Sequence, residues 1–212
     1  WVRYKHLKYF VREPYGLEPM QAVGDAANKP FECEVGLVQV NFDGKKTVAG
    51  DYIPLKQVSG NVFETVAPVK PGTKFKMEVR NISECYIYVF GKETDGSSYT
   101  LFPYPRTDDP SKTKYSPFCG IAGYRLFPKD KSMTPDSIGK KDMIAIVVSK
   151  DSLNWYDINQ QISRNPGTDY AARLKSALPR SGTQGVQVSA NSKGNIHFTA
   201  DGQQQRMVLC MV

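Results

Sequence analysis

Between residues 73 and 104 the hydrophobic pattern changes period in a way that predicts a sheet. Over residues 74–80, Phe75, Met77 and Val79 alternate with Lys74, Lys76, Glu78 and Arg80, the period of two that marks a half-buried strand. Over residues 85–90 the alternation is lost: Cys85, Ile87 and Val89 share one face and Tyr86, Tyr88 and Phe90 the other. A strand apolar on both faces needs cover on both, which places it inside a sheet. Asp95-Gly96 then predicts a two-residue type I′ hairpin turn. The return strand ends at Pro103, which has no N–H for a ladder. This register sets Lys92 against Tyr99, Phe90 against Leu101, Tyr88 against Pro103 and, on the other face, Val89 against Phe102. A second apolar run, residues 143–149, is too short for a helix and rich in β-branched side chains. It predicts another interior strand beside residues 85–90.

The remaining segments predict cover for this pair. Residues 31–42 read as a strand whose inward face carries Cys33, Val35 and Leu37, with a bulge near Gly36. Asp43-Gly44 is a turn, residues 49–58 and 61–66 are strands about a Ser59-Gly60 turn, and Pro71-Gly72 leads into the central stretch. Residues 105–124 form a long irregular loop, 124–127 a short strand, and 128–142 a second loop; long loops in a compact fold are often functional. Ser152 caps a helix over about 152–164 with a Trp155, Ile158, Ile162 stripe, stopped by Asn165-Pro166-Gly167. Thr168 caps a second, about 168–178, that buries Tyr170, Leu174, Ala177 and Leu178 before Pro179. Residues 185–212 close as a three-strand meander with Val186, Val188, Ile196, Phe198, Val208, Cys210 and Val212 inward and turns at Lys193-Gly194 and Asp201-Gly202. The expected fold is mainly β: an antiparallel β-sandwich, immunoglobulin-like in general shape, with two short helices on one side. Residues 31–212 form one domain, and residues 1–30 an extended arm or linker packed along it.

With 40% hydrophobic and 23% charged residues in 212, the composition is that of a globular domain and excludes wholesale disorder. No apolar run approaches the roughly 20 residues of a membrane helix, so membrane insertion of this segment is not expected. A chain that begins at Trp1 reads as a piece of something longer. A net charge of +7 favours anionic partners where the charges cluster.

Candidate chemistry is sparse. Cys33, Cys85, Cys119 and Cys210 can pair in three ways; buried thiols are expected, with at least one disulfide as the alternative. Cys119 is the one cysteine placed in a loop, yet no base stands at recognisable spacing to activate it. His197, between inward Ile196 and Phe198, points outward, and His6 lies in the basic arm. No zinc spacing exists, and Gly44-Lys45-Lys46-Thr47 lacks the upstream glycine of a phosphate loop; no cofactor is expected. The loops carry carboxylates (Asp108, Asp109, Asp130, Asp136, Asp142) and a mixture of basic and aromatic residues. From that mixture the candidate binding residues are Tyr104, Arg106, Tyr115, Arg125, Lys140 and Lys141, a set suited to a protein partner or an anionic ligand. The interspersed aspartates argue against nucleic acid.

The order of motifs resembles the bacterial domain-of-unknown-function 4384 family over residues 68–155. Those motifs are the aromatic strand ending at Phe90, the Asp95-Gly96 turn, Leu101-Phe102-Pro103, Ile138-Gly139 before Asp142, and Ser149 followed by Leu153. The resemblance implies a β-sandwich module without assigned activity, attached to other domains or found in secreted and envelope proteins of bacteria, and it carries over no catalytic residue. The expected function is a non-catalytic accessory or binding module of a larger bacterial protein, extracytoplasmic, recognising another protein, the rest of its parent chain, or an anionic or glycan ligand through its long loops. Alternatives are a hydrolase using Cys119 or loop carboxylates, and a nucleic-acid or polyanion binder.

Overall fold

Strands that are apolar on both faces have to sit in the middle of a stack, and here the stack has three layers: sheet, sheet and helix pair. The computed structural model describes residues 30–42, 44, 47–120, 123–128, 131–135, 141–164, 169–179 and 186–212. The arm expected over residues 1–30, His6 and the stop at 165–167 therefore lie outside the described residues, Pro30 excepted.

The elements run β1 (Phe31–Phe42), β2 (Thr47–Ile53), β3 (Leu55–Ser59), β4 (Val62–Thr65), β5 (Phe75–Asn81), β6 (Cys85–Lys92), β7 (Ser98–Phe102), β8 (Phe118–Cys119), β9 (Gly123–Phe127) and β10 (Ile144–Ser149), then α1 (Trp155–Ser163) and α2 (Tyr170–Ala177), then β11 (Gln187–Ala190), β12 (Ile196–Ala200) and β13 (Met207–Met211). One sheet has the order β11-β12-β1-β5-β9, with β2 also on β1; the other has β3-β4-β13-β10-β6-β7, with β8 also on β6. The described pairings are antiparallel except for a single parallel contact between Met211 of β13 and Val62 of β4.

The two faces of β6 enter two cores. Cys85, Ile87 and Val89 join Val35, Leu37, Met77, Val79 and Phe198 between the sheets. Tyr88 and Phe90 pack with Ala145, Val147 and Leu209 under Trp155, Ile158, Ile162, Tyr170 and Leu174 of the helices. β10 lies antiparallel beside β6, as its apolar run predicts, with Ile146 opposite Val89. Each buried aliphatic or aromatic side chain contributes about 1.5–3 kcal/mol, so this doubly covered pair anchors the fold.

Several expectations are corrected. The C-terminal residues do not form a three-strand meander: β11 and β12 pair in the first sheet, whereas β13 crosses to β10 in the second. The reason is that β13 is apolar on both faces, with Val208 and Cys210 in the inter-sheet core and Met207, Leu209 and Met211 under the helices. The strand expected over 49–58 breaks at Pro54 into β2 and β3, which belong to different sheets. Gly194 holds this corner: it has φ of 75°, its carbonyl accepts the Leu55 N–H at 2.7 Å, and a Cβ there would meet Pro54 Cβ at 2.8 Å. The bulge in β1 falls between Val38 and Val40 of the β2 ladder, not at Gly36.

The β6–β7 turn is not a two-residue type I′ turn. Gly96 takes positive φ, 84°, but Asp95 does not, so a type I turn followed by a left-handed glycine forms instead. Gly96 N–H reaches Glu93 O at 3.0 Å and Glu93 N–H reaches Ser97 O at 2.9 Å. Lys92 consequently faces Ser98, Gly91 faces Tyr99 and Phe90 faces Thr100; a bulge at Leu101 restores the expected Val89–Phe102 pair. The helix caps also shift inward. Asn154 Oδ1 accepts the Asp157 N–H at 3.2 Å and Asp169 Oδ1 the Ala172 N–H at 2.8 Å, where Ser152 and Thr168 were expected.

Candidate functional site

One edge of β6 carries both ends of the longest described loop. β7 leaves this edge at Phe102, opposite Val89. The chain returns at Pro117, whose carbonyl accepts the Ile87 N–H at 3.0 Å, and continues into β8. Residues 103–117 are thus an excursion whose two ends are fixed within two residues of each other on one buried strand, the arrangement of a compact Ω-type loop.

The excursion is not irregular, as its sequence suggests, but a short ribbon. Asp109-Pro110-Ser111-Lys112 makes its tip, with Asp and Pro in the first two positions that a type I turn favours. Lys112 N–H donates to Asp109 O at 2.9 Å, and Asp109 Oδ1 accepts the Ser111 hydroxyl at 2.6 Å. Below the tip Arg106 N–H donates to Lys112 O and Lys114 N–H to Tyr104 O, both at 2.9 Å, around a Pro105–Thr113 bridge. The Thr113 hydroxyl accepts the Tyr115 N–H at 3.1 Å. Tyr115 is half-buried against the inter-sheet core and anchors the base, while Tyr104 is exposed.

Two of the ribbon's three cations are paired with its two carboxylates. Arg106 Nε and Nη2 grip Asp108 at 2.8 and 2.5 Å, and Lys112 Nζ lies 3.2 Å from Asp109 Oδ2. The Arg106 fork holds the Asp108 carboxyl below its ordinary range, and the Ser111 hydroxyl, then Lys112, do the same for Asp109. Lys114 Nζ sits 5.2 Å from the centre of the Tyr115 ring, within reach of a cation–π contact.

Tyr104, Arg106 and Tyr115 therefore share one ribbon. The other candidate residues are elsewhere. Arg125 is on β9, opposite Val79 at the edge of the other sheet. Lys141 precedes β10 and bonds Glu64 Oε1 of β4 at 2.6 Å, and β4 and β7 stand at opposite sides of their sheet. Lys140, like Asp130 and Asp136, lies outside the described residues. The residue that sequence reasoning passed over is Phe118. It is 44% exposed on β8 and packs its ring 5.1 Å from that of Tyr86. Two residues are too few to show a strand period, so nothing in the sequence separates it from loop.

The nucleophile candidate also moves. Cys119 is not in a loop but on β8, directly opposite Cys85, and both are buried in the inter-sheet core. Cys119 Sγ donates to Pro117 O at 3.9 Å. Its hydrogen bond to Cys85, followed by burial, pushes the Cys85 thiol up; burial alone pushes Cys210 up to about 12. His197 points away from the core, as its place between Ile196 and Phe198 predicts, and its Nε2 lies 2.7 Å from Glu32 Oε1 in a half-buried pair. Among the described residues no three metal-ligating side chains converge, and no helix is long and apolar enough to cross a membrane. What the ribbon and its Phe118 flank offer chemically is aromatic surface, backbone edges and self-paired charge. Compared with known proteins, the chain matches no protein-family model, no curated protein and no solved structure.

Proposed function

We propose that this protein is a non-catalytic binding module that docks another protein, or another part of its own parent chain, through the 103–117 ribbon and the adjacent Phe118. The observation that carries this reading is a surface loop held in one conformation by its own hydrogen bonds while it exposes Tyr104 and Phe118. A pre-ordered loop loses little entropy on binding, and aromatic side chains supply most of the energy at protein interfaces. Because Arg106 and Lys112 are already paired with Asp108 and Asp109, the ribbon suits a protein surface better than a polyanion. Burial of Cys85 and Cys119 weighs against a cysteine hydrolase. The resemblance over residues 68–155 supports an accessory role beside other domains of a bacterial protein.

The test compares wild type with the Tyr104→Ala, Phe118→Ala double variant, each immobilised and exposed to extract of the source cells. Loss of two exposed aromatic anchors should lower enrichment of the captured protein at least about tenfold, at 1–2 kcal/mol per anchor. The Tm should move by less than about 4 °C, since exposed substitutions change stability little. Equal enrichment by both forms, or none by wild type over blank resin, overturns the proposal. Capture that instead collapses steeply between low and moderate salt points to the polyanion reading.

A further inference from the structure

The same loop ends at a pair of sulfurs. Cys85 and Cys119 are direct partners across the β6–β8 ladder, and both point into the inter-sheet core, where their thiols are hydrogen-bonded. The bond from Ile87 N–H to Pro117 O marks a hydrogen-bonded site of the ladder. Cys85–Cys119, two residues along, occupies the next site of the same type. At such sites the Cα atoms are about 5.5 Å apart, in the middle of the roughly 4.4–6.8 Å that disulfides span. Cys33 lies across the core on β1, and Cys210 is on β13, separated from β6 by β10. Cys33 comes close enough across the core to interact with Cys119 and Cys210, but only Cys85 and Cys119 are direct partners in a ladder.

We infer that Cys85 and Cys119 are a dithiol–disulfide pair, oxidised across the ladder by a low-molecular-weight or protein disulfide, and that oxidation locks the 103–117 ribbon onto the sheet. β8 is two residues long and follows a proline, so its local opening releases Cys119 at far lower cost than opening the core. The Cys119 thiolate then attacks the donor disulfide RS–SR and forms a mixed disulfide, expelling RS−. Cys85 attacks the Cys119 sulfur of that intermediate, closes the protein disulfide and expels the second RS−. The two thiol protons pass to the two released thiolates, so two protein thiols are oxidised and one donor disulfide is reduced to two RSH. The new link closes a loop that contains the whole ribbon. It restricts the unfolded chain and holds β8 in its ladder. This holds whether or not the ribbon docks a partner.

The test equilibrates the protein with reduced and oxidised glutathione at a series of ratios, followed by alkylation, trypsin and mass spectrometry. The expected product is a linked pair of peptides spanning 81–92 and 115–125, the segments that cleavage after Arg80, Lys92, Lys114 and Arg125 releases. The oxidised form should melt about 5–15 °C above the reduced form, and amides of residues 104–119 should exchange more slowly. Cys119→Ala should abolish both the linked peptides and the redox dependence of Tm. Should that variant fold poorly, the Cys33→Ala, Cys210→Ala double variant, which leaves this pair intact, should still give the link. A link that joins Cys85 or Cys119 to Cys33 or Cys210, or no Cys85–Cys119 link at the most oxidising ratio, overturns the pairing; an oxidised form that melts no higher overturns the lock. Partner capture by the two redox forms is read separately, so its failure bears on the docking proposal and leaves the linkage result standing.

Discussion

Tyr88 has a wholly buried ring beneath the helices, and its hydroxyl accepts the Leu153 N–H at 2.7 Å. Burial pushes its phenol up from the ordinary tyrosine range. Tyr88→Phe keeps the ring and strands the Leu153 N–H, which should cost about 1–2 kcal/mol and lower Tm by about 2–8 °C. A thermal melt that leaves Tm unchanged would show that water replaces the hydroxyl. That Tyr88 is buried could be read from the run of residues 85–90, apolar on both faces. Its hydrogen-bond partner could not, because Leu153 lies 65 residues on. The same limit hid the pairing of His197 with Glu32, 165 residues away.

The helices show how far a local pattern reaches. The stripes Trp155, Ile158, Ile162 and Tyr170, Leu174, Leu178 are buried as their spacing predicts, while Ala177, expected with the second, is only partly buried. At eight residues, however, α2 is too short to persist alone. Arg173, 6% exposed, holds it in place. Its guanidinium donates to Ile162 O at the end of α1 and to Gly96 O of the β6–β7 turn, and it lies 5.5 Å from the Tyr170 ring centre. Arg173→Met keeps an unbranched stem but leaves two buried carbonyls without a donor. We expect a loss of about 2–3 kcal/mol, with amide exchange accelerated first in residues 170–177. Exchange that stays slow there while the rest of the chain loosens would refute this docking role. No helical pattern marks an arginine as a buried tie, since the groups it ties come from three separate segments. The β6–β7 register was open to error for a related reason. A turn longer or shorter by one residue turns the return strand over, and here the bulge at Leu101 brings Phe102 back opposite Val89; neither the conformation of Asp95 nor that bulge is written in the alternation.

The three-layer stack makes stability fall with alkali. Burial holds the Cys33 and Cys210 thiols high, the Cys119 hydrogen bond and burial hold Cys85 high, and burial raises Tyr88 and Tyr170. Below about pH 8 these groups are protonated folded and unfolded, and contribute no pH dependence. Above about pH 8.5 the unfolded thiols ionise while the folded ones do not. The unfolded state then binds fewer protons, and stability drops by about 1.4 kcal/mol per pH unit for each thiol, with the tyrosines joining above about pH 10. Tm should be flat from about pH 7 to 8 and fall steeply beyond about pH 9, and Cys210→Ala should make the fall shallower. A Tm indifferent to pH up to about 10.5 would contradict burial of these thiols.

Periodicity along the chain was enough to establish a mainly β sandwich, its doubly buried strands, the β6–β10 neighbourhood and two helices, because burial of alternating or striped side chains is a local property of each segment. It could not establish which sheet β13 joins, the change of sheet at Pro54, the ribbon within residues 103–117, or the meeting of Cys85 with Cys119. Each of these depends on which distant backbone edges are left to pair once the inner strands are covered, and that is settled when the layers close on one another.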